Sequence, residues 1–403
     1  MYYIIEDKAI PRYSMKYNFD EIRDRSSTEK WKETVGTGAI SMGIADMDFA
    51  IAPEIRDAIK ECADAGEFGY SVMTDADYSA ITDWLKYRSG VEVPKEHILA
   101  TPGVLYAART AMYALTNPGD KIIVNIPLHT PSIATASMLE REALINPLVC
   151  RDGAYYIDFD HLEKCFNDGA RAMMLCAPNN PTGRVWTLEE LRNIAFLVNK
   201  YNAYLITDEI HRDIIWEGHK HISPTELPEI RDRSVAVFST SKTFNMGGFH
   251  IGSAIISNPE IKELVRRRFY NYGHVCGRPS TLCIAAQTAA YTRAKPWFEE
   301  MMKYVGKNID LALEGLEGLP VRAVRPEGTF LLWIDVSDLK MRTMDLNDVM
   351  EKEWLAVCDR GIMYDTPDFV GKNPIEHHLR MNLATPRKNV EAAIERIRAY
   401  FGK

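Results

Sequence analysis

The stretch VAVFSTSKTFNMGG, residues 235–248, decides how the rest of the chain is interpreted. It opens with an apolar run typical of a buried strand, and hydroxyl residues follow before a single lysine, Lys242. Burial disfavours the charged form of a lysine, lowers the pKa of its amine and leaves a nucleophile that forms imines with carbonyl compounds. The hydroxyls of Ser239 and Ser241 are suited to hold a phosphate beside that amine. A surface lysine in a polar loop has the same local pattern, so the remainder of the chain has to decide.

The bulk composition excludes several classes of function. A chain of 403 residues is too long for one small core, which predicts two subdomains that share an interface. A formal net charge of -8 leaves no basic footprint for nucleic acid or an anionic membrane. The sequence therefore predicts a soluble globular enzyme without a nucleic-acid or membrane partner.

The terminus, the cysteines and the histidines carry further negative signals. The N-terminal stretch MYYIIEDKAI meets acids within ten residues, and no apolar run is long enough to span a bilayer. The seven cysteines are odd in number and form no C-x-x-C pair, which is typical of reduced thiols in a cytoplasmic protein. The histidines lie in polar loops without a partner cluster, so we expect no metal site.

Short apolar runs alternate with helical patterns along the first two thirds of the chain. This alternation predicts a mostly parallel sheet with helices on both faces. Predicted strands lie at 98–100, 121–127, 172–177, 203–211 and 235–238, and predicted helices at 53–65, 76–89, 188–200, 258–272 and 279–315 with breaks near its prolines. We expect Gly66 to follow the end of its helix, and Thr187 with Glu190 to form a capping box.

Polar residues follow the ends of neighbouring predicted strands. The turn before the helix at 104 contains Gly103, and free backbone N–H groups at such a helix start favour a phosphate. Asn180, Asp208 and Lys242 come after later strands. Because ligands of parallel sheets bind beyond the carboxyl ends of the strands, these side chains are predicted to converge there.

The C-terminal third changes character and predicts a second subdomain. The segment 328–336 is typical of a strand, and HHLRMNLATP is a strand that carries Arg380. A final helix is predicted to begin with Thr385 as its N-cap and Pro386 in its first turn. Near the other terminus, the acids of IADMDF at 44–49 are spaced as in a metal pair, but we expect an extended segment at a subunit edge.

The converging residues suit one coenzyme. An imine-forming lysine, an acid at a strand end and a phosphate cradle make the protein half of a pyridoxal 5'-phosphate (PLP) site. Asp208 is placed to keep the pyridine nitrogen of the coenzyme protonated. Arg380 is the candidate for an amino-acid carboxylate, which an arginine binds through two parallel hydrogen bonds.

The motifs also resemble a known family. TPGV, APNNPTGR, TDEIH, SKTFNMGG and RMNLATP occur in the order seen in fold-type I PLP enzymes. YSMKYNFD, IADMDF, GRVWT, DEIHRD, PEGTFLLW and NLATP resemble the cystathionine β-lyase-like C–S lyases of the MalY/PatB group, relatives of class I and II aminotransferases. The resemblance spans the whole chain. It implies an α/β fold with a seven-stranded, mostly parallel sheet in a large domain at 48–290, and a small α/β domain from 1–47 and 291–403.

The resemblance assigns roles residue by residue. Lys242 is implied to carry the coenzyme and to move the α-proton, and Arg380 with Asn180 is implied to bind the substrate carboxylate. The remaining implied coenzyme contacts are Asp208 at the ring nitrogen, Asn180 and His211 near the ring oxygen, His129 against the ring, Gly103, Val104, Ser239 and Ser241 at the phosphate, and Tyr70 at the phosphate of a neighbouring subunit. A homodimer with active sites at the subunit interface follows.

Two positions distinguish this chain within the resemblance. His250 stands where typical aminotransferases have an arginine eight residues after the lysine, as expected for the lyase branch. His129 and Thr130 stand where the lyase branch usually has two tyrosines, so a tyrosine hydroxyl is lost from the site. The expected reaction is the β-elimination of a cysteine thioether such as L-cystathionine. An aminotransferase and a PLP-binding regulatory protein without turnover are the alternatives, and the sequence does not choose among thioether substrates.

Overall fold

The computed structural model describes residues 17–271, 278–365 and 374–402. Residues 13–16 of the YSMKYNFD motif and Cys276 lie outside these ranges. The helices of the described chain are α1 Pro53–Ala65, α2 Asp75–Ser89, α3 Val104–Leu115, α4 Thr130–Met138, α5 Phe159–Asn167, α6 Leu188–Lys200, α7 Thr240–Thr243, α8 Pro259–Asn271, α9 Thr281–Arg293, α10 Lys295–Leu316, α11 Thr343–Asp348 and α12 Arg387–Tyr400. The strands are β1 Ile40–Ser41, β2 Ile98–Thr101, β3 Lys121–Ile126, β4 Glu142–Arg151, β5 Ala154–Ile157, β6 Ala170–Cys176, β7 Tyr204–Asp208, β8 Ser234–Phe238, β9 Gly252–Ile255, β10 Arg322–Ala323, β11 Leu331–Asp335, β12 Ala356–Val357, β13 Asp359–Arg360 and β14 His378–Asn382.

The large sheet has the predicted α/β character. Its described strands follow the order β2-β9-β8-β7-β6-β3-β4-β5, and β8, β7, β6, β3 and β4 run parallel to their neighbours in that order. Among the described residues the sheet has eight strands rather than the predicted seven. The extra strand, β5, returns antiparallel along β4 through Asp152 and Gly153, which both have positive φ. An Asp-Gly pair is a strong signal for such a two-residue hairpin turn, and the sequence interpretation did not use it.

Helices cover both faces of this sheet, as the continuous apolar strands predict. Successive residues of a strand point to opposite faces, so Ile123 packs in one apolar cluster with α5 and α6 while Ile122 packs in another with α3 and α8. Met173 and Met174 of β6 divide between the two clusters in the same way. The sheet is therefore buried on both sides, and its exposed functional groups are confined to its ends.

A smaller antiparallel sheet carries Arg380. Its described order is β10-β11-β14-β13, and Arg380 on β14 lies between Trp333 of β11 and Asp359 of β13. The third apolar cluster joins α9, α10 and α12 to this sheet and to residues of the N-terminal segment such as Phe19 and Phe49. The predicted domain boundaries at 48 and 290 stay a prediction.

Most predicted helix ends are confirmed, and one is wrong. Gly66 is the left-handed cap of α1, and Thr187 with Glu190 forms the capping box of α6. The last helix begins at Arg387, so Pro386 rather than Thr385 takes the N-cap position. The backbone of Pro386 has ψ 137°, which is outside the helical range, so the helix starts only after it. Within the described ranges no helix is long and apolar enough to cross a membrane.

Candidate active site

A cavity of about 400 Å³ lies at the carboxyl edge of the large sheet. The predicted residues Val104, His129, Asn180, Asp208, His211, Lys242 and Arg380 all line it. Its other lining residues are Ile44, Ala45, Leu105, Pro131, Cys176, Ile210, Asp359, Met363 and Tyr364. The convergence expected from strand-end topology is therefore present in the fold, with Arg380 reaching the cavity from the small sheet.

Lys242 lies on the short helix α7, which follows β8. Its Nζ donates a hydrogen bond of 2.7 Å to the backbone oxygen of Ala45. Burial lowers the pKa of the Lys242 amine, and the positive charge of Arg380 lowers it further, although the carboxylates of Asp46 and Asp208 oppose this shift. The amine is thus held inside the cavity in surroundings that favour its neutral, nucleophilic form.

Asp208 closes the floor of the cavity at the end of β7. Its carboxylate accepts a hydrogen bond of 3.1 Å from the backbone N–H of Ile210. Burial raises the pKa of Asp208 to about 6. A carboxylate in this position is stabilised by a cation placed against it inside the cavity.

His211 lies three residues beyond Asp208, and its ring is buried. Neither ring nitrogen has a hydrogen-bond partner among the residues that the structure describes. Burial holds the pKa of His211 well below its ordinary value, and the nearby charges of Lys242 and Arg380 act in the same direction. The imidazole is therefore neutral, with one N–H to donate and one nitrogen to accept.

His129 lines the cavity from the N-cap position of α4. Burial lowers the pKa of His129 to about 4, and the positive charges of Arg380 and Lys242 contribute. At neutral pH its ring is uncharged, which suits the predicted stacking against an aromatic coenzyme. That role stays a prediction.

The predicted phosphate residues are less uniform. Gly103 precedes α3 with φ 136°, a conformation that favours glycine, and Val104 opens the helix. The Ser239 hydroxyl donates to the backbone oxygen of Ile251 at 2.6 Å and accepts from the N–H of Ser241 at 3.0 Å, so it shapes the turn before α7. Thr240, between the two serines, has a buried hydroxyl oxygen with no partner in the described chain. Gly103, Ser239 and Ser241 are not among the residues that line the cavity, and their predicted contacts with a phosphate stay predictions.

Arg380 is buried and held by several groups. Its Nη1 donates to Asn180 Oδ1 at 2.8 Å, and its Nη2 donates to the backbone oxygen of Gly43 at 3.0 Å and to the carboxylate of Asp359. The ring of Tyr364 lies 4.9 Å from the guanidinium carbon. Arg380 and Asn180 thus lie in contact, and their predicted role at the substrate carboxylate stays a prediction, whereas the contacts to Asp359 and Tyr364 were not expected.

The segment that contains IADMDF forms a wall of the cavity, and its predicted position at a subunit edge stays a prediction. Ile44 and Ala45 line the cavity. Asp48 is buried, accepts from Lys30 Nζ at 2.7 Å and from Trp31 Nε1 at 2.8 Å, and so fixes the segment. The sequence shows two acids, Asp46 and Asp48, spaced two residues apart among apolar residues. Only the tertiary fold shows that Asp48 is the buried one.

Tyr70 lies apart from this cavity. It is 82% exposed, in a segment that also exposes Phe68 and Val72. Its predicted contact is with the phosphate of a neighbouring subunit, which stays a prediction.

The groups that line the cavity fit the coenzyme that the sequence predicts. Asp208 would match a protonated ring nitrogen, the ring nitrogens of His211 would match a ring oxygen, and the start of α3 at Val104 would match a phosphate. Lys242 supplies the amine that bonds to an aldehyde.

Comparison with known proteins identifies the family. Residues 37–397 match the family described as Aminotransferase class I and II. The chain is 32% identical to cystathionine beta-lyase PatB of Bacillus subtilis, over 95% of this chain and 99% of the relative, and 24% identical to protein MalY of Escherichia coli, over 94% and 97%. The crystal structure of cystalysin from Treponema denticola, which contains a pyridoxal 5'-phosphate cofactor, superposes with a TM-score of 0.89 at 28% identity and covers 96% of this chain and 99% of cystalysin. The chain belongs to the class I and II aminotransferase family.

Proposed function

We propose that this protein is a PLP-dependent carbon–sulfur lyase. Its substrate is a cysteine thioether such as L-cystathionine, and its products are a thiol, pyruvate and ammonia. The observation that carries the proposal is the position of the Lys242 amine, buried in one cavity with Asp208 at the floor and Arg380 on the opposite sheet. The relative PatB is named a cystathionine beta-lyase, which supports this substrate class.

The coenzyme and the protein divide the chemistry. When bound, PLP supplies an electron sink that stabilises negative charge at the α-carbon of an amino acid. Asp208 would lie against the ring nitrogen and keep it protonated, because a buried carboxylate is stabilised by a cation beside it. His211 and Asn180 would hydrogen-bond the ring oxygen, and Ser239, Ser241 and the backbone at Gly103 and Val104 would hold the phosphate.

The protein also orients the substrate and moves its proton. Arg380 binds the α-carboxylate together with Asn180, which places the α-carbon near Lys242. The Lys242 amine takes the α-proton, a step for which its lowered pKa prepares it. The carbon–sulfur bond at the β-carbon then breaks with both electrons on sulfur. The thiolate leaves, and the released aminoacrylate hydrolyses to pyruvate and ammonia.

The product assay tests this function. Purified protein loaded with PLP is given L-cystathionine with and without an added keto acid, and pyruvate and free thiol are quantified together. The proposal expects equal amounts of pyruvate and thiol in the absence of the keto acid. Turnover that requires the keto acid would identify an aminotransferase instead, and coenzyme binding without any product would favour the regulatory alternative.

We further propose that the protein is a homodimer. Phe68, Tyr70 and Val72 expose 59%, 82% and 70% of their surfaces on one short segment, as expected for a region covered by a partner. In the dimer, Tyr70 reaches the phosphate in the active site of the other subunit. Light scattering checks this proposal, because the chain mass of 45.8 kDa should double in solution.

The cytoplasm is the compartment that we propose. The six described cysteines are all free, which suits a reducing environment. Fractionation of the source cells with antibody detection tests this assignment.

A further inference from the structure

Asp359 lies in the cavity without a role in the proposed reaction. It sits directly opposite Arg380 in the antiparallel pair of β13 and β14, and the two side chains form an ion pair. Their exposed fractions are 16% for Asp359 and 3% for Arg380. The Tyr364 hydroxyl donates to the same carboxylate at 2.7 Å. Asp359 and Arg380 therefore form a buried ion pair, and Arg380 is the residue proposed to bind the substrate carboxylate.

The hydrogen-bond geometry of Arg380 shows what this contact occupies. Its Nη2 donates both to the Gly43 oxygen and to Asp359, and its Nη1 donates to Asn180. The Nε atom is buried and has no hydrogen-bond partner in the described chain. A carboxylate that binds arginine through two parallel bonds needs Nη2 together with either Nη1 or Nε. The substrate carboxylate consequently needs an Nη2 proton that Asp359 or Gly43 now holds.

The position of Asp359 is fixed on its other side by Gly43. A side chain at residue 43 would collide with the Asp359 carboxylate, so the glycine leaves the space that this carboxylate fills. Tyr364 holds the carboxylate from the third direction. Arg380, the backbone at Gly43 and the Tyr364 hydroxyl thus fix the position of the Asp359 carboxylate.

We infer that Asp359 occupies the place of the substrate carboxylate on Arg380 and has to be displaced when an amino acid binds. Every α-carboxylate has to displace it, so Asp359 lowers the affinity of Arg380 for all amino acids by a common factor. A substrate then binds at low concentration only where its side chain adds further contacts, of which a longer thioether offers more than a short amino acid. The inference rests on the proposed function, since it takes Arg380 as the receptor of the substrate carboxylate.

The test titrates the PLP-loaded protein with two probes and monitors their binding by the absorption of the coenzyme. L-Alanine is the probe because it carries the α-carboxylate but no leaving group at its β-carbon. Ethylamine is the matched probe without a carboxylate. Asp359→Asn keeps the shape of the side chain and its contact with Tyr364 but removes the charge. Asp338→Asn, which removes an exposed carboxylate beside Arg322, is the control variant.

Asp359→Asn should tighten the binding of L-alanine by about tenfold or more, since a charge-assisted contact to Arg380 no longer competes. Ethylamine binding should not change, and Asp338→Asn should match the unaltered protein with both probes. Tyr364→Phe frees one side of the Asp359 carboxylate without removing its charge. It should shift L-alanine affinity in the same direction by a smaller factor.

Two other results have distinct meanings. Unchanged or weaker L-alanine binding in Asp359→Asn, with ethylamine binding intact, would overturn the inference and leave the proposed function standing. Asp359 would then be a residue that positions Arg380. If neither probe changed the coenzyme spectrum in any of the proteins, the proposed function would fail and the inference with it.

Discussion

The cavity has two halves that differ in how their polar groups are satisfied. The coenzyme half consists of Asp208, His211 and Lys242, and the substrate half consists of Asn180, Asp359 and Arg380, with the backbone oxygen of Gly43 behind the arginine. In the coenzyme half the nitrogens of His211 are buried without a partner in the described chain. In the substrate half both terminal guanidinium nitrogens of Arg380 contact other groups of the same chain, and only its Nε lacks a partner among the described residues.

This difference matches the occupants that we propose for the two halves. A buried polar group without a partner is destabilising by about 1–3 kcal/mol, which a permanently bound coenzyme offsets by making the missing hydrogen bonds. A substrate is present only during turnover. A buried arginine that waits for a substrate needs a counter-ion in the interval, and Asp359 supplies one.

The largest effect should come from Lys242→Ala, which removes the proposed base from the coenzyme half. We expect turnover of L-cystathionine to fall by about 10⁴-fold, since proton transfer and the covalent link to the coenzyme are both lost. Steady-state rates of pyruvate release measure this, with circular dichroism to confirm that the variant is folded. Near-normal activity would remove Lys242 from the mechanism.

In the substrate half, Arg380→Met should destabilise the protein by about 3–5 kcal/mol, because the Asp359 carboxylate remains without its partner. The double variant Arg380→Met with Asp359→Asn should recover most of this loss. Urea unfolding monitored by fluorescence gives both free energies. If the double variant were as unstable as the single one, the two side chains would not be coupled and the two halves would not differ as described.

Asp208→Asn tests the coenzyme half through the pH dependence of stability. The pKa of Asp208 is about 6 in the folded chain against an ordinary value of 3.8, so the unfolded chain loses this proton first as the pH rises. In coenzyme-free protein, this carboxyl should therefore reduce the free energy of unfolding by about 2 kcal/mol between pH 4 and pH 7. Asp208→Asn should lack that decline.

The measurement compares urea unfolding of the coenzyme-free variant and of the unaltered protein at both pH values. Asp338→Asn serves as a control for an exposed carboxyl. If the difference in the free energy of unfolding between Asp208→Asn and the unaltered protein were the same at both pH values, the pKa of Asp208 would not be raised in the folded chain. The coenzyme half would then not favour a cation beside Asp208.

The smallest effect should follow Arg380→Lys, which retains the charge beside Asp359 but not the two-pronged geometry. We expect KM for L-cystathionine to rise by about tenfold with a smaller change in kcat, since substrate binding loses one of two parallel bonds. A drop in kcat with an unchanged KM would place Arg380 in the chemical step instead.

The sequence predicts the coenzyme half better than the substrate half, for a physical reason. Asp208 and Lys242 follow strands of one parallel sheet, and parallel strands bring their carboxyl ends to a common edge. Local pattern and topology therefore suffice to bring these residues together. The residue types then point to one coenzyme, and the family resemblance agrees with that interpretation.

The substrate half depends on contacts between distant parts of the chain. Gly43 precedes the large sheet, whereas Asp359 and Tyr364 reach the cavity from the region of the small sheet. No periodicity in the sequence relates these segments, and a lone Asp-Arg dipeptide at 359–360 gives no sign that its acid faces Arg380. The short extra strand β5 and the helix start at Arg387 were missed for a more local reason, namely turn chemistry at an Asp-Gly pair and at Pro386.

The role of Lys242 is tested most directly by reducing the PLP-loaded protein with sodium borohydride. Peptide mass mapping then locates the lysine to which the coenzyme is attached. We expect a single modified residue, Lys242, and no attachment in Lys242→Ala. Lys30 is the informative competitor, because its amine is also buried but is paired with Asp48 at 2.7 Å. Attachment at Lys30 or at another lysine, with Lys242 unmodified, would show that this cavity is not organised around the Lys242 amine.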